Sequence, residues 1–286
     1  MSGQTIQGRP GKNSRWLPIL VLIIGFGFLY IPIISLIVYS FNESRLVTVW
    51  AGFSTKWYGE LLHNSQLLGA AWLSIKIGFI NATLSVILGT LAAIVLVRFK
   101  RSTMRRSLDV MIAAPLVMPD IIIGLSMLLL FVSMENLFGW PQRGQLTVTL
   151  AHTTFSMAYV AVVVRSRLVS MDRSLEEAAM DLGAKPLWVF LTITLPIIAP
   201  SLAAGWLLAF TLSMDDLVIA SFVSGPGATT LPMVVYSSVR LGVSPQINAL
   251  ASIIILLVSI AVLIAGVLMH RQERKEAQMS TESKRA

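Results

Sequence analysis

Residues 17–41 read LPILVLIIGFGFLYIPIISLIVYSF, a run without one charged side chain. A helix rises about 1.5 Å per residue, so about 20 mostly apolar residues cross a hydrocarbon core about 30 Å thick. The run therefore predicts a transmembrane helix. Arg9, Lys12 and Arg15 precede it, as in a signal peptide, but the apolar stretch is too long and no small-residue cleavage site follows. It reads as a retained first span. Residues 70–97, 108–132, 146–164, 197–223 and 247–269 are also predominantly apolar and long enough to span. The expectation is an all-α integral membrane fold of six transmembrane helices.

Composition agrees. Of 286 residues, 55% are hydrophobic and 13% charged, with a mean hydropathy of +0.77; soluble domains carry about 25% charged residues. The net charge of +8 would suggest nucleic acid in a soluble protein, but no nucleic-acid motif accompanies it. Cytoplasmic loops of membrane proteins collect Lys and Arg in any case. Cysteine is absent, which excludes disulfides, thiolate nucleophiles and Cys-ligated metal. His63, His152 and His270 lack metal-ligand spacing; His152 opens span four and reads as a hydrogen-bonded packing residue. No Ser/His/Asp or Cys/His set points to covalent catalysis. Asn81-Ala82-Thr83 has the glycosylation pattern but lies inside a span.

Basic residues orient the spans. Arg9, Lys12 and Arg15 precede span one, and Arg98, Lys100, Arg101, Arg105 and Arg106 lie between spans two and three. Arg165, Arg167, Arg173 and Lys185 lie between four and five, and Arg271, Arg274, Lys275, Lys284 and Arg285 follow six. These seventeen share one side of the membrane. The other side has Arg45, Lys56, Arg143 and Arg240, while Lys76 can snorkel near the outer end of span two. Positive residues stay inside, so both termini are expected in the cytoplasm. The layout is a tail at 1–16, span one at 17–41, a periplasmic loop at 42–69, a core of spans two to six at 70–269, and a tail at 270–286.

The cytoplasmic loop at 169–196 is the most informative. Ser174 and Glu177 have capping-box spacing, which starts a helix by satisfying its free N–H groups. Leu175, Ala178, Ala179 and Leu182 then make one apolar stripe. Gly183 sits where a C-terminal cap belongs. Pro186 fits the first turn of a second short helix, which Pro196 ends or kinks. So short a first helix is marginal alone. Its stripe packs either against the chain's own spans or into a groove on a partner.

Glu177-Ala178-Ala179, then Gly183, then Ile193-x-Leu195-Pro196 resemble the EAA signature of ABC importer permeases, with the family's nine residues between Gly183 and Ile193. FNESRLVTVWAGFSTKWYGELL (41–62), PLVMPDIIIGLSMLLLF (115–131) and LSMDDLVIASFVSGPGATTLP (212–232) resemble the permeases of bacterial putrescine and spermidine importers. The resemblance implies a type I ABC importer transmembrane domain in the bacterial inner membrane, with lipid around it. It implies three kinds of partner: a second, different permease chain, two ATPase subunits that receive the 169–196 loop, and a periplasmic polyamine-binding protein. Gly225-Pro226-Gly227 is no phosphate loop, because no Lys-Ser/Thr ending follows there or elsewhere. No cofactor is expected on this chain; ATP and Mg²⁺ belong to the partner ATPase.

Three carboxylates fall deep within predicted spans, away from their ends: Asp120, Asp215 and Asp216. Each costs about 2.5–3.5 kcal/mol at membrane depth even on a lenient scale. Along continuous helices Asp120 would lie about 18 Å beyond Leu108, and Asp215 about 22 Å beyond Pro200, from the inner side. The two could share a depth. They read either as structural contacts, to Lys76 or a serine, or as a weak cation site on a transport path. A di- or triamine needs carboxylates to replace the water around its ammonium groups. Asp216 is about 100° from Asp215 around a helix and could bond a neighbouring helix instead. Ser213 could add a neutral acceptor. Trp50 and Trp57 suit interface anchoring and could also stack on an alkyl ammonium.

Other functions compete. An ion-coupled secondary transporter would use Asp120 and Asp215 as a relay, and broken helices in an inverted repeat would mark it; no such repeat is visible. A membrane scaffold without transport is a third class. Among ABC permeases, ferric iron or an oxyanion are other solutes, and intramembrane acids disfavour the anion.

Overall fold

The computed structural model describes residues 16–46, 49–99, 103–241 and 245–260, together with Leu263. Among these, regular structure is helical apart from one isolated antiparallel bridge, Asn42 to Phe53. Helix α1 spans Trp16–Tyr39, α2 Lys56–His63, α3 Ser65–Arg98, α4 Thr103–Val117, α5 Asp120–Phe138 and α6 Gln145–Ser170. Then come α7 (Ser174–Asp181), α8 (Pro186–Val189), a π turn at Phe190–Thr194, α9 (Leu195–Asp215), α10 (Val218–Val223) and α11 (Leu231–Leu241). The last described helix, α12, is Pro245–Ile260.

Among the described residues, five helices are long and apolar enough to cross a membrane: α1, α3, α5, α6 and the continuous run Pro186–Asp215. Of the expected span at 247–269, α12 is apolar but shorter, and residues beyond 263 lie outside the described ones, as do the tails. The chain divides into two units, 1–64 with 239–286, and 65–238.

In the first unit α1 buries no residue of its own. A helix apolar all round that leaves most of its side chains exposed suits hydrocarbon, where no water punishes the exposure. The segment after it is tied by polar contacts. Asn42 donates to the Val49 carbonyl at 2.7 Å and accepts from the Ala51 N–H at 3.0 Å. The indole of Trp57 donates to the Asn42 carbonyl at 2.6 Å. Asn64 and Glu60 both bond Gln246 in the first turn of α12.

In the second unit α3, α6 and α9 pack on one another, with α10 against α5 and α6. Their contacts are built from small residues: Ala82, Ala93, Ala158, Ala161 and Ala209 are fully buried. Lipid gives apolar helices no reason to separate from it, so close backbone approach and polar bonds hold them together. A Cβ on Gly89 of α3 would stand 2.8 Å from the Met157 carbonyl of α6. Asn81, fully buried, donates to Ser156 Oγ at 3.3 Å and to the Ala209 carbonyl at 2.9 Å, joining all three helices.

Two expected spans are not continuous helices. The run at 108–132 breaks between α4 and α5, where Pro119 holds extended backbone (ψ 138°). A proline disfavours helical geometry in the residue before it and clashes with the carbonyl four back. The run at 197–223 breaks after Asp215, with Asp216 extended (ψ 119°). By contrast, the second short helix expected before Pro196 does not stop. It runs through the π turn into α9, where the Leu195 N–H reaches back five residues to the Phe190 carbonyl. Widening the helix there makes room for the proline ring.

Candidate functional site

Helix α7 and the turn after it form the first candidate site. The Ser174 to Glu177 capping box is not formed. The helix opens instead on Arg173, the Ser174 N–H is taken by Asp172 Oδ1 at 2.9 Å, and the Glu177 N–H by the Arg173 carbonyl at 3.1 Å. The bond from the Ser174 N–H holds the Asp172 carboxyl below its usual range. At the other end Gly183 adopts φ +86°, the Gly183 N–H bonds the Met180 carbonyl and the Ala184 N–H the Ala179 carbonyl. That double closure is a Schellman cap, which favours glycine because the left-handed backbone crowds a Cβ.

Among the described residues, most of the apolar stripe is left exposed. Leu182 is 90% exposed and Leu175 48%, and Leu187 and Trp188 beyond the turn are exposed as well. Glu177 and Ala178 face outward beside them, and Ala179 is half-buried. Ile193 lies in the π turn, with Leu195 and Pro196 opening α9.

Glu176, which sequence reading passed over, anchors this surface. Its carboxylate, buried, takes a forked pair of bonds from Arg98 at the end of α3 and a third from Thr194 in the π turn. Arg173 adds a bond to the Val97 carbonyl at 2.8 Å. Burial raises the Glu176 pKa, but the bonds from Arg98 and Thr194 outweigh it and keep the carboxyl below the ordinary range. Arg98 lies 78 positions away, and no local pattern links it to Glu176.

The second candidate site is where α5, α6, α9 and α10 meet. Asp120 is the first residue of α5 and Asp215 the last of α9, both exposed. Because the third span is broken, the depth reckoned for Asp120 along one straight helix does not apply. Asp215 is nevertheless within electrostatic reach of Asp216, Asp120 and His152. Among the described residues no basic side chain forms an ion pair with Asp120 or Asp215. Lys76 bonds Gln145 instead, at 3.4 Å.

The two adjacent acids are differently placed. The Asp216 side chain is 10% exposed. It accepts from His152 Nε2 at 2.9 Å and from the Ile219 and Ala220 N–H groups at 3.2 and 2.7 Å, closing the first turn of α10. Ser213 is buried and bonds His152 Nδ1 at 2.7 Å. Sequence reading found no Ser/His/Asp set, and the fold assembles one from residues 61 and 64 positions apart. Its serine is buried against the imidazole rather than presented to a cleft. Trp50 belongs to the other unit, half exposed, its ring edge-on to Tyr39 at 6.2 Å. Trp57 is buried, with Lys56 4.7 Å over its ring.

Long apolar helices crossed by breaks, with one short helix and a glycine-capped turn projecting beyond them, are the architecture of an ABC importer permease. A bacterial ABC transporter involved in the import of the acidic polysaccharide alginate shares this fold: the TM-score is 0.68 at 19% identity, covering 92% of this chain and 98% of that one. The chain belongs to the family of binding-protein-dependent transport system inner membrane components, which it matches over residues 85–278. It is 60% identical over 267 residues to the putrescine transport system permease protein PotI of Escherichia coli (strain K12), covering 93% of this chain and 95% of that one. To the spermidine/putrescine transport system permease protein PotC of the same strain it is 43% identical over 250 residues, 87% and 92% of the two chains. It is a multi-pass membrane transport component and not an enzyme.

Proposed function

We propose that this chain forms half of the translocation pathway of an ATP-driven polyamine importer in the bacterial inner membrane. Six spans, with both termini in the cytoplasm, would pair with those of a second, different permease. Two ATPase subunits, which bind ATP and Mg²⁺, would receive α7 and its turn, and a periplasmic binding protein would deliver putrescine or spermidine. The permeases named above support the substrate class. ATP-driven closure of the ATPases would then move α7 and switch the pathway between inward-open and outward-open.

The observation that carries the reading is the exposed carboxylate of Asp215 at the C-terminal end of α9, within reach of Asp120. A helix C-terminus is already negative, so an acid there destabilises the helix and a cation relieves it. Broken helices in transporters present such ends to cations. Broken spans also occur in ion-coupled transporters, but the family membership supports the ABC reading. The direct test is labelled putrescine and spermidine uptake in a strain lacking this chain, complemented with an Asp120→Asn/Asp215→Asn variant. Asparagine keeps the shape and removes the charge. Lost uptake with normal abundance and normal ATPase co-purification is expected. Full uptake overturns the cation-site reading, and uptake falling only with abundance makes these residues structural.

A further inference from the structure

His152 of α6 is 2% exposed and has a partner on each ring nitrogen: Ser213 Oγ at 2.7 Å and Asp216 Oδ2 at 2.9 Å. An ionised carboxylate only accepts, so Nε2 carries hydrogen and donates to Asp216; a neutral ring then accepts at Nδ1 from the Ser213 hydroxyl. Ser213 lies in the last turn of α9, and Asp216 is the first residue past its end. Residues three apart share a helix face, so one imidazole grips both. Asp215, two positions beyond Ser213, is turned about 200° away from that face. This explains why one acid of the adjacent pair is engaged and the other exposed.

We propose that His152 is a positioning residue for the substrate cation: by gripping Ser213 and Asp216 on either side of Asp215, it fixes the α9–α10 break so that Asp215, and not its neighbour Asp216, presents its carboxylate to the pathway. The inference rests on the pathway reading of Asp215 and adds a residue that never touches substrate. Without the imidazole, Asp216 keeps its two backbone donors but loses its tie to α6. The last turn of α9 is then free to rotate, and the two carboxylates compete for the same cation.

The geometry allows a test that separates positioning from packing. A glutamine amide reaches the place of Nε2 and an asparagine amide the place of Nδ1. His152→Gln therefore keeps the bond to Asp216, while His152→Asn keeps only the one to Ser213. Labelled putrescine uptake per assembled complex is measured for both and for Asp215→Asn, with membrane abundance and ATPase co-purification alongside. His152→Asn is expected to lose about tenfold in rate at normal abundance, the scale of one charge-assisted bond, and His152→Gln to recover most of it. Equal loss in both variants, tracking abundance, overturns the proposal in favour of packing. Parental uptake in His152→Asn beside a defective Asp215→Asn overturns this proposal alone. Parental uptake in Asp215→Asn overturns the pathway reading and this proposal with it.

Discussion

Arg98 donates to Glu176 through both terminal nitrogens of its guanidinium, so one ion pair joins the end of α3 to the first turn of α7. Thr194 bonds the same carboxylate from the π turn. The end of α3, the first turn of α7 and the π turn are therefore pinned at one buried carboxylate, next in sequence to Glu177.

Arg98→Ala leaves Glu176 charged and buried without its partner, and is expected to cost about 3 kcal/mol. Glu176→Gln, which keeps a bond to Thr194, should cost less. The double variant should cost less than the sum of the single ones, because the second change removes the orphaned charge. Thermal unfolding of the purified complex measures all three. The pH dependence has a definite sign. A carboxyl whose folded pKa is depressed stabilises fully above its unfolded value and loses that stability as pH falls through the lower folded one. Wild type and Glu176→Gln should thus differ at neutral pH and converge under acid.

At Gly183 an added Cβ meets nothing within 4 Å, so a substitution is penalised by backbone geometry alone, about 1–2 kcal/mol. Asparagine tolerates the left-handed region and a β-branched residue does not. Gly183→Val should weaken ATPase co-purification strongly and Gly183→Asn mildly. Equal binding by both would show that the turn is not held at this φ in the assembled complex.

At Gly89 the penalty is steric. A methyl group would stand 2.8 Å from the Met157 carbonyl and 2.9 Å from Val160 Cβ, so α3 and α6 must part. Gly89→Ala should lower membrane abundance, and Gly89→Leu should lower it further, overpacking costing about 1–3 kcal/mol. Quantitative blotting of membranes reads this directly.

Reporter fusions after Gln272 and within residues 169–196 should read cytoplasmic, and fusions near Ser54 or Gly227 periplasmic. The basis is the distribution of Lys and Arg among the loops. The opposite pattern at either pair of sites would reverse the orientation.

Five long apolar helices were legible in sequence because hydropathy reports transfer to lipid, and lipid does not depend on tertiary contacts. The breaks were not. Residues 108–132 and 197–223 are apolar on both sides of Pro119 and Asp216, so a window average sees one run where the backbone makes two helices. The turn at Gly183 was legible because cap and glycine are local. The same local pattern pointed to Ser174 and Glu177 as a capping box, but Asp172 and Arg173 took those N–H groups. Glu176 and His152 take their partners from other helices, and neither has a neighbour in sequence that announces them.

The exposed group of Leu182, Leu187 and Trp188 also bears on how the subunit is made. In the proposed orientation these side chains face the cytosol rather than lipid, so a copy lacking its ATPase carries a sticky hydrophobic surface in water. Surfaces of that kind attract chaperones and proteases. Overproduction of this chain alone should therefore yield a short-lived orphan, and the supply of ATPase would set how much permease a cell can keep.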